Sequence, residues 1–158
     1  VDPDLELIKG MGGALLREKM VAQATNELII VVDESKLVSK LGTRSPLPVE
    51  VIPFAWQSHL PHLTELGAEP ILRLESVEEA GSKSDDGTDV LPMRTDNGNF
   101  ILDCHFPTGI GNPVRLQTEL AKRAGVVETG LFLGMAHEIL VGGVEGVRRI
   151  LRNEREPV

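Results

Sequence analysis

The chain has 158 residues, with 24 Asp and Glu against 16 Lys and Arg, a net charge of −8 at neutral pH and an isoelectric point near 5.0. That length buries a real core in one or two small domains, while an acidic balance supplies no basic field to hold nucleic acid or an anionic membrane. A single cysteine excludes an intrachain disulfide framework, and without a membrane-length apolar segment or a signal peptide a cytoplasmic protein is expected.

The chain opens on Val1-Asp2-Pro3-Asp4 with no initiator methionine, which leaves a fragment or a processed product open. Lys9-Gly10-Met11-Gly12-Gly13 then runs into a helical pattern over residues 14–25, with Leu15, Leu16, Met20 and Ala24 as its apolar face. Three glycines within four positions let the backbone come close to a ligand and turn its N–H groups inward. Lys9 adds positive charge and Glu18 a group that takes a proton, so an anion cradle, an electrophile and a base fall within ten residues. The plainer alternative, which spacing alone favours, is a Gly-rich turn capping a helix with a solvated Arg17-Glu18-Lys19 face.

Residues 27–32 form a short apolar, β-branched run that suits a buried parallel strand. Asp33-Glu34-Ser35-Lys36 follows at its carboxyl end, the edge where open α/β sheets collect ligands; a helix N-cap with acidic residues in its first turn explains it equally. After a break at Gly42-Thr43-Arg44-Ser45-Pro46, residues 47–52 alternate as a strand, Pro53 suits the first turn of a helix reaching residue 66, and 71–74 give another strand. Residues 75–89 are acidic and rich in Gly and Ser, and a mobile loop without chemistry is expected there. Thr95-Asp96-Asn97-Gly98-Asn99 reads as a turn and 100–106 as a strand; Asn112-Pro113 opens a helix to residue 124. Residues 126–133 and 139–141 are strand-like, 145–151 form a last short helix, and 152–158 are a charged, frayed tail.

The middle therefore runs β-α-β-β-α-β, the order of a ferredoxin-like α+β unit, and the flanks look like pieces of an incomplete α/β layer. The expected fold class is α/β: a partial Rossmann-like layer plus an inserted ferredoxin-like subdomain. Residues 1–45 and 134–158 fall to the α/β catalytic domain and 46–133 to the subdomain, which carries a flexible acidic insertion at 75–91.

Other chemistry-bearing residues are weaker candidates. His59 and His62, three apart on the expected helix, share a face but lack further ligands at metal-binding spacing, so a solvated or packed face is expected and no metal. Asp103 and His105 share a strand face without a serine nucleophile and read as a sheet-surface contact. Cys104 lies in an apolar run and reads as core. His137-Glu138 belongs to a turn with no assigned role.

Taken together, Lys-Gly-x-Gly-Gly-Ala-Leu-x-Arg-Glu-Lys, Asp-x-Ser-Lys, Pro-Leu-Pro-Val-Glu-Val-Ile-Pro and Thr-Asp-Asn-Gly-Asn-x-Ile-Leu-Asp, in that order, resemble the A-type ribose-5-phosphate isomerases. Residues 125–132 continue the match, which runs from about residue 4 to residue 150 outside the acidic insertion. The resemblance implies interconversion of ribose 5-phosphate and ribulose 5-phosphate through an enediol, with no metal and no cofactor. By that resemblance Glu18 is the catalytic base. Lys9 contacts sugar hydroxyls and stabilises the enediolate, Gly10, Met11 and Gly12 bind substrate through their backbone, and Lys36 holds the phosphate. Met11 stands where the family commonly has glycine, so its side chain points away from the sugar or narrows the pocket.

The family also carries an N-terminal Thr/Ser-rich phosphate loop and an Asp-Gly-Ala-Asp-Glu segment, and this chain is expected to begin just after them. Asp2 and Asp4 do not align with those aspartates. Little or no isomerase activity is therefore expected of the 158-residue chain alone. The alternative function is a catalytically impaired fragment that acts as a sugar-phosphate binding or oligomerisation module. The family resemblance implies a homo-oligomer, dimer or tetramer.

Overall fold

The computed structural model describes residues 1–75 and 91–152. The expected acidic loop, apart from its ends, and the tail beyond Arg152 lie outside the described residues. The described elements are mixed α/β: strands β1 (Leu7–Ile8) to β9 (Gly146–Leu151), helices α1 (Leu15–Gln23), α2 (Leu60–Glu65) and α3 (Pro113–Ala121), and two 3₁₀ turns, Glu34–Lys36 and Trp56–His59.

The central sheet contains β3 (Leu47–Val51), β4 (Glu69–Leu72), β5 (Phe100–His105) and β6 (Val126–Thr129), antiparallel throughout and ordered β4-β5-β3-β6. Every residue of β3 is buried, because both faces of this central strand are covered. Leu47, Val49 and Val51 alternate onto one face and pack with Leu102, Cys104, Leu63 of α2 and Leu116 and Leu120 of α3 in the larger core. Pro48 and Glu50 stand on the opposite face, with Ile101 and Asp103 of β5. The glycine loop and α1 lie against that second face: a Cβ on Gly13 would sit 3.7 Å from the Ile101 Cδ1.

A second sheet holds β2 (Ile29–Asp33) parallel to β8 (Glu138–Gly143), with β9 antiparallel on the far side of β8. The short pair β1–β7 (Leu131–Phe132) links the two regions, and Leu7, Phe132, Ile139 and Val141 share a smaller core with Leu5, Ala22 and Ala136.

Several local expectations need correction. β2 is parallel as expected, but its burial alternates and Ile29 and Val31 are exposed; only its alternate face meets the smaller core. α1 does not bury Leu16, Met20 and Ala24 as one apolar face. Leu15, Lys19 and Ala22 are its buried residues, and Met20 is exposed, because a buried ion pair of Lys19 sets the rotation of the helix. The helix expected from Pro53 starts later: Ala55 adopts a left-handed conformation, a 3₁₀ turn follows, and Pro61 takes the first turn of α2, where a missing N–H costs nothing. The run 126–133 is two strands in two sheets, broken at Gly130, where a Cβ would lie 2.4 Å from the Lys9 carbonyl oxygen.

The helix expected over residues 145–151 is instead a strand, β9, which begins at Gly146 after a turn at Val144-Glu145. Gly143 and Gly146 pair directly around Val144-Glu145, and Gly146 takes φ +118°. That hairpin lays Val147 and Ile150 along β8, so ladder pairing outweighs the helical propensity of the two arginines.

Candidate functional site

Gly10 begins the site. Its φ of +91° and that of Gly13, +89°, bend the chain back so that the Gly13 N–H donates to the Gly10 carbonyl at 3.0 Å. A Cβ on Gly10 would stand 2.5 Å from the Leu15 Cβ, and one on Gly13 2.5 Å from the Met93 Cε, so both positions require glycine. Gly12 differs: its Cβ would meet nothing within 4 Å. That open ground faces a cleft of about 560 Å³ whose walls include Lys9, Gly10, Met11, Gly12, Glu18 and Lys36. All six residues singled out from the sequence thus come together in one place. Met11 is half exposed and lies on the cleft wall instead of being buried away from it.

Helix α1 follows at once with Ala14 as its N-cap, which offers no side-chain oxygen to the first-turn N–H groups. Glu18 projects into the cleft one turn later. Its Oε2 is sheltered from solvent without a hydrogen-bond partner, and the Lys9 ammonium lies 3.3 Å away. Both side chains are a little over one-third exposed, so the pair is open to a ligand. Lys9 is fixed from behind by its N–H, which donates to the Gly130 carbonyl at 2.9 Å, and its ammonium sits 5.8 Å from the Phe132 ring centroid.

The neighbours of Glu18 hold the helix. Arg17 pairs with Asp96 at 2.8 Å and also donates to the Asp96 carbonyl at 3.2 Å. Lys19 is 1% exposed, and its ammonium reaches both Glu128 Oε1 and the Thr129 carbonyl at 2.6 Å. Burial pushes the Lys19 ammonium below its usual range, and the Glu128 carboxylate pulls against that shift. A solvated Arg17-Glu18-Lys19 face is therefore excluded at Lys19.

Across the cleft, Asp33 caps the turn Glu34–Lys36 by accepting from the Ser35 N–H at 2.7 Å, the N-cap alternative weighed from the sequence. The same turn carries Lys36 to the cleft wall, so cap and site coexist. Sequence reasoning missed Arg44. It lies on the cleft wall beside Ser45 and donates to the Ser35 carbonyl, tying the 42–46 loop to the turn that bears Lys36. Its only sequence signal was an arginine among turn residues. Glu50 was also missed; buried in β3, its Oε1 accepts from Thr95, Asn97 and Asn99 at 2.9–3.2 Å.

The weaker candidates stay outside the cleft. Asp2 Oδ1 accepts from the Asp4 and Glu6 N–H groups at 3.0 and 2.9 Å and shapes a turn. His59 is buried and its Nδ1 accepts from Arg123 at 3.0 Å; burial and the arginine push the imidazole below its usual range. His137 Nδ1 accepts from the Leu28 N–H, and Glu138 pairs with Arg149. Cys104 is wholly buried and its thiol is pushed up to about 12 by burial, then by Asp103. Among the described residues no group of three or more His, Cys, Asp or Glu is placed to hold a metal, and no helix is long and apolar enough to cross a membrane.

Comparisons with known proteins converge on one family. The family model "Ribose 5-phosphate isomerase A (phosphoriboisomerase A)" matches residues 1–146. Ribose-5-phosphate isomerase A of Bacillus mycoides is 48% identical over 148 residues, which are 94% of this chain and 61% of the relative. That of Desulfatibacillum aliphaticivorans is 49% identical over 150 residues, 95% of this chain and 60% of the relative. A solved D-ribose-5-phosphate isomerase in complex with phospho-erythronic acid superposes with a TM-score of 0.85 at 39% identity, covering 96% of this chain and 61% of that one. The enzyme from Methanocaldococcus jannaschii gives 0.82 at 39% identity, covering 95% and 60%. The chain spans about three-fifths of the length of these relatives. With the family model matched over most of its length, the chain belongs to the ribose 5-phosphate isomerase A family.

Proposed function

We propose that this chain carries the catalytic base and part of the substrate site of an aldose–ketose isomerase that interconverts ribose 5-phosphate and ribulose 5-phosphate. The observation that carries the reading is Glu18: a sheltered carboxylate oxygen 3.3 Å from the Lys9 ammonium, at the wall of the cleft formed by the glycine loop. Moving the carbonyl from C1 to C2 requires one base that removes the C2 proton and returns it at C1. Glu18 takes that role. Lys9 and the N–H groups of the loop stabilise the negative charge that develops on the enediolate oxygens. Lys36, with Arg44 beside its turn, holds the phosphate. The relative solved with phospho-erythronic acid supports a sugar phosphate as ligand.

In this reading residues 46–133 are a ferredoxin-like subdomain, supported by the order β4-β5-β3-β6. Residues 1–45 and 134–158 are parts of a Rossmann-like catalytic layer, supported by the parallel β2–β8 pair. The protein acts as a cytoplasmic homo-oligomer; the exposed Phe54 and Ile71 support association through the subdomain.

The test follows ribose 5-phosphate conversion, together with exchange of its C2 proton in deuterium oxide. It uses the 158-residue chain and any longer in-frame product that carries it. Glu18→Gln lowers kcat by at least a hundredfold, the lower end of general-base effects, and abolishes exchange. Activity within about tenfold of the parent removes Glu18 as the base. Sugar-phosphate binding without turnover by the 158-residue chain supports the binding-module alternative.

A further inference from the structure

We infer that Arg73 and Asp103 form a clamp that orients the substrate-facing peptide groups of the glycine loop, and that Arg73 is a positioning residue for the isomerase site. The inference rests on the proposed reading of that loop as the sugar site. Arg73 directly follows β4, and Asp103 lies on the adjacent strand β5, both in the central sheet. The guanidinium and carboxylate meet as a fork: Nε donates to Oδ2 at 2.8 Å and Nη2 to Oδ1 at 2.5 Å. Their side chains are 12% and 18% exposed, so the fork is shielded and its direction fixed.

The remaining nitrogen of the fork points at the loop. Nη1 donates to the Gly10 carbonyl at 3.2 Å and to the Met11 carbonyl at 2.9 Å. A trans peptide unit carries its N–H on the side opposite its carbonyl, and no peptide bond of the described chain is cis. Holding the Gly10 oxygen toward Arg73 therefore turns the Met11 N–H the other way. Holding the Met11 oxygen does the same for the Gly12 N–H. Two successive N–H donors are thereby aimed away from the sheet by one side chain. The Gly13 N–H also holds the Gly10 carbonyl at 3.0 Å, so Arg73 is a second anchor for that plane; a Cβ on Gly12 would meet nothing within 4 Å, so packing does not fix the next plane. The clamp removes that freedom before a ligand arrives, which is how preorganised donors gain their advantage.

Lysine cannot replace the arginine, since one ammonium cannot satisfy Asp103 in a bidentate pair and reach two carbonyls as well. The experiment compares Arg73→Lys, Arg73→Met and Asp103→Asn with the parent in two measurements. The first is the ¹⁵N order parameter of the Met11 and Gly12 amides without ligand. It is expected to fall from about 0.85 toward 0.6 or below in both Arg73 variants. The second is steady-state turnover of ribose 5-phosphate, where KM rises and kcat/KM falls by about tenfold to a hundredfold, with Asp103→Asn shifting both in the same direction. Rigid amides in Arg73→Met, or a lowered melting temperature with KM unchanged, overturn the clamp. A longer in-frame product carrying this chain that neither binds nor turns over the sugar phosphate refutes the isomerase reading instead, and the amide measurement still decides the clamp. If Arg73→Met does not fold, Arg73→Lys and Asp103→Asn carry the same decision.

Discussion

Replacing Lys19 by Met tests whether the helix that bears Glu18 is held by a buried ion pair. Lys19 is 1% exposed, and its removal takes the donor from two acceptors at once, Glu128 Oε1 and the Thr129 carbonyl, each at 2.6 Å from the ammonium. Breaking a buried pair by removing one partner costs about 3–5 kcal/mol. Two facts set this case at the lower end. The Glu128 side chain is 25% exposed, and it still accepts from the Thr129 N–H at 2.7 Å. Methionine refills the space of the lysine stem, so the cavity contribution is small. The ammonium–Phe132 contact, 5.1 Å to the ring centroid, is lost as well. A destabilisation of about 3 kcal/mol follows, which for a chain of this size lowers Tm by roughly 6–12 °C. Urea denaturation of the single variants and of Lys19→Met with Glu128→Leu measures it. The double variant recovers most of the loss, because removing both side chains leaves no unpaired charge in the interior, the remaining cost being the bonds lost at the Thr129 N–H and carbonyl. A single-variant cost below about 1 kcal/mol, or a double variant as unstable as the sum of the two, refutes the reasoning.

Other predictions follow from single contacts. Gly10→Ala combines a left-handed φ with a Cβ 2.5 Å from Leu15 and destabilises by about 1–3 kcal/mol in thermal unfolding, whereas Gly12→Ala leaves stability within about 0.5 kcal/mol while weakening sugar-phosphate binding. Cys104, its thiol pushed up to about 12, does not react with a thiol reagent at pH 8 until the protein is unfolded. Because the folded thiol stays protonated where the unfolded one ionises, stability falls as pH rises above the thiol's ordinary value of 9.0. His59 titrates in the folded protein below 6.5. As pH falls through that value the unfolded chain takes up the proton first, so stability falls on acidification, and an NMR titration above 6.5 contradicts the burial argument.

The candidate site was legible in the sequence where chemistry requires residue types at short range. Gly10, Gly13, Lys9 and Glu18 are neighbours along the chain, and the backbone bent by two left-handed glycines brings them together locally. Lys36 was legible because a strand end and a capping turn fix it locally. The order of elements between residues 47 and 129 was legible for the same reason, each strand being bounded by its own turn residues. What was hidden depends on partners distant in sequence. Glu128 is 109 positions from Lys19 and Asp96 is 79 from Arg17, and hydropathy along α1 contains no trace of either. The hairpin that makes residues 146–151 a strand is likewise decided by β8, since two arginines between β-branched residues fit either state alone.

Those distant partners explain why a helix with a weak apolar face can present the Glu18 carboxylate in a fixed direction. Successive side chains on an α-helix project about 100° apart, so residues 17, 18 and 19 point in three different directions. Arg17 reaches the turn at Asp96, Lys19 enters the sheet at Glu128 and Thr129, and Glu18 lies between them at the cleft. An apolar contact on one face tolerates some rolling of the helix, because hydrophobic burial is non-directional. Two directional pairs on either side of Glu18 do not. The exposed Arg17–Asp96 pair contributes little stability, about 0–1 kcal/mol, so its value lies in limiting rotation. Lys19 and Arg17 therefore constrain the helix, Arg73 holds the Gly10 and Met11 carbonyls of the loop, and the Glu18 carboxylate meets the glycine loop where these fixed elements converge.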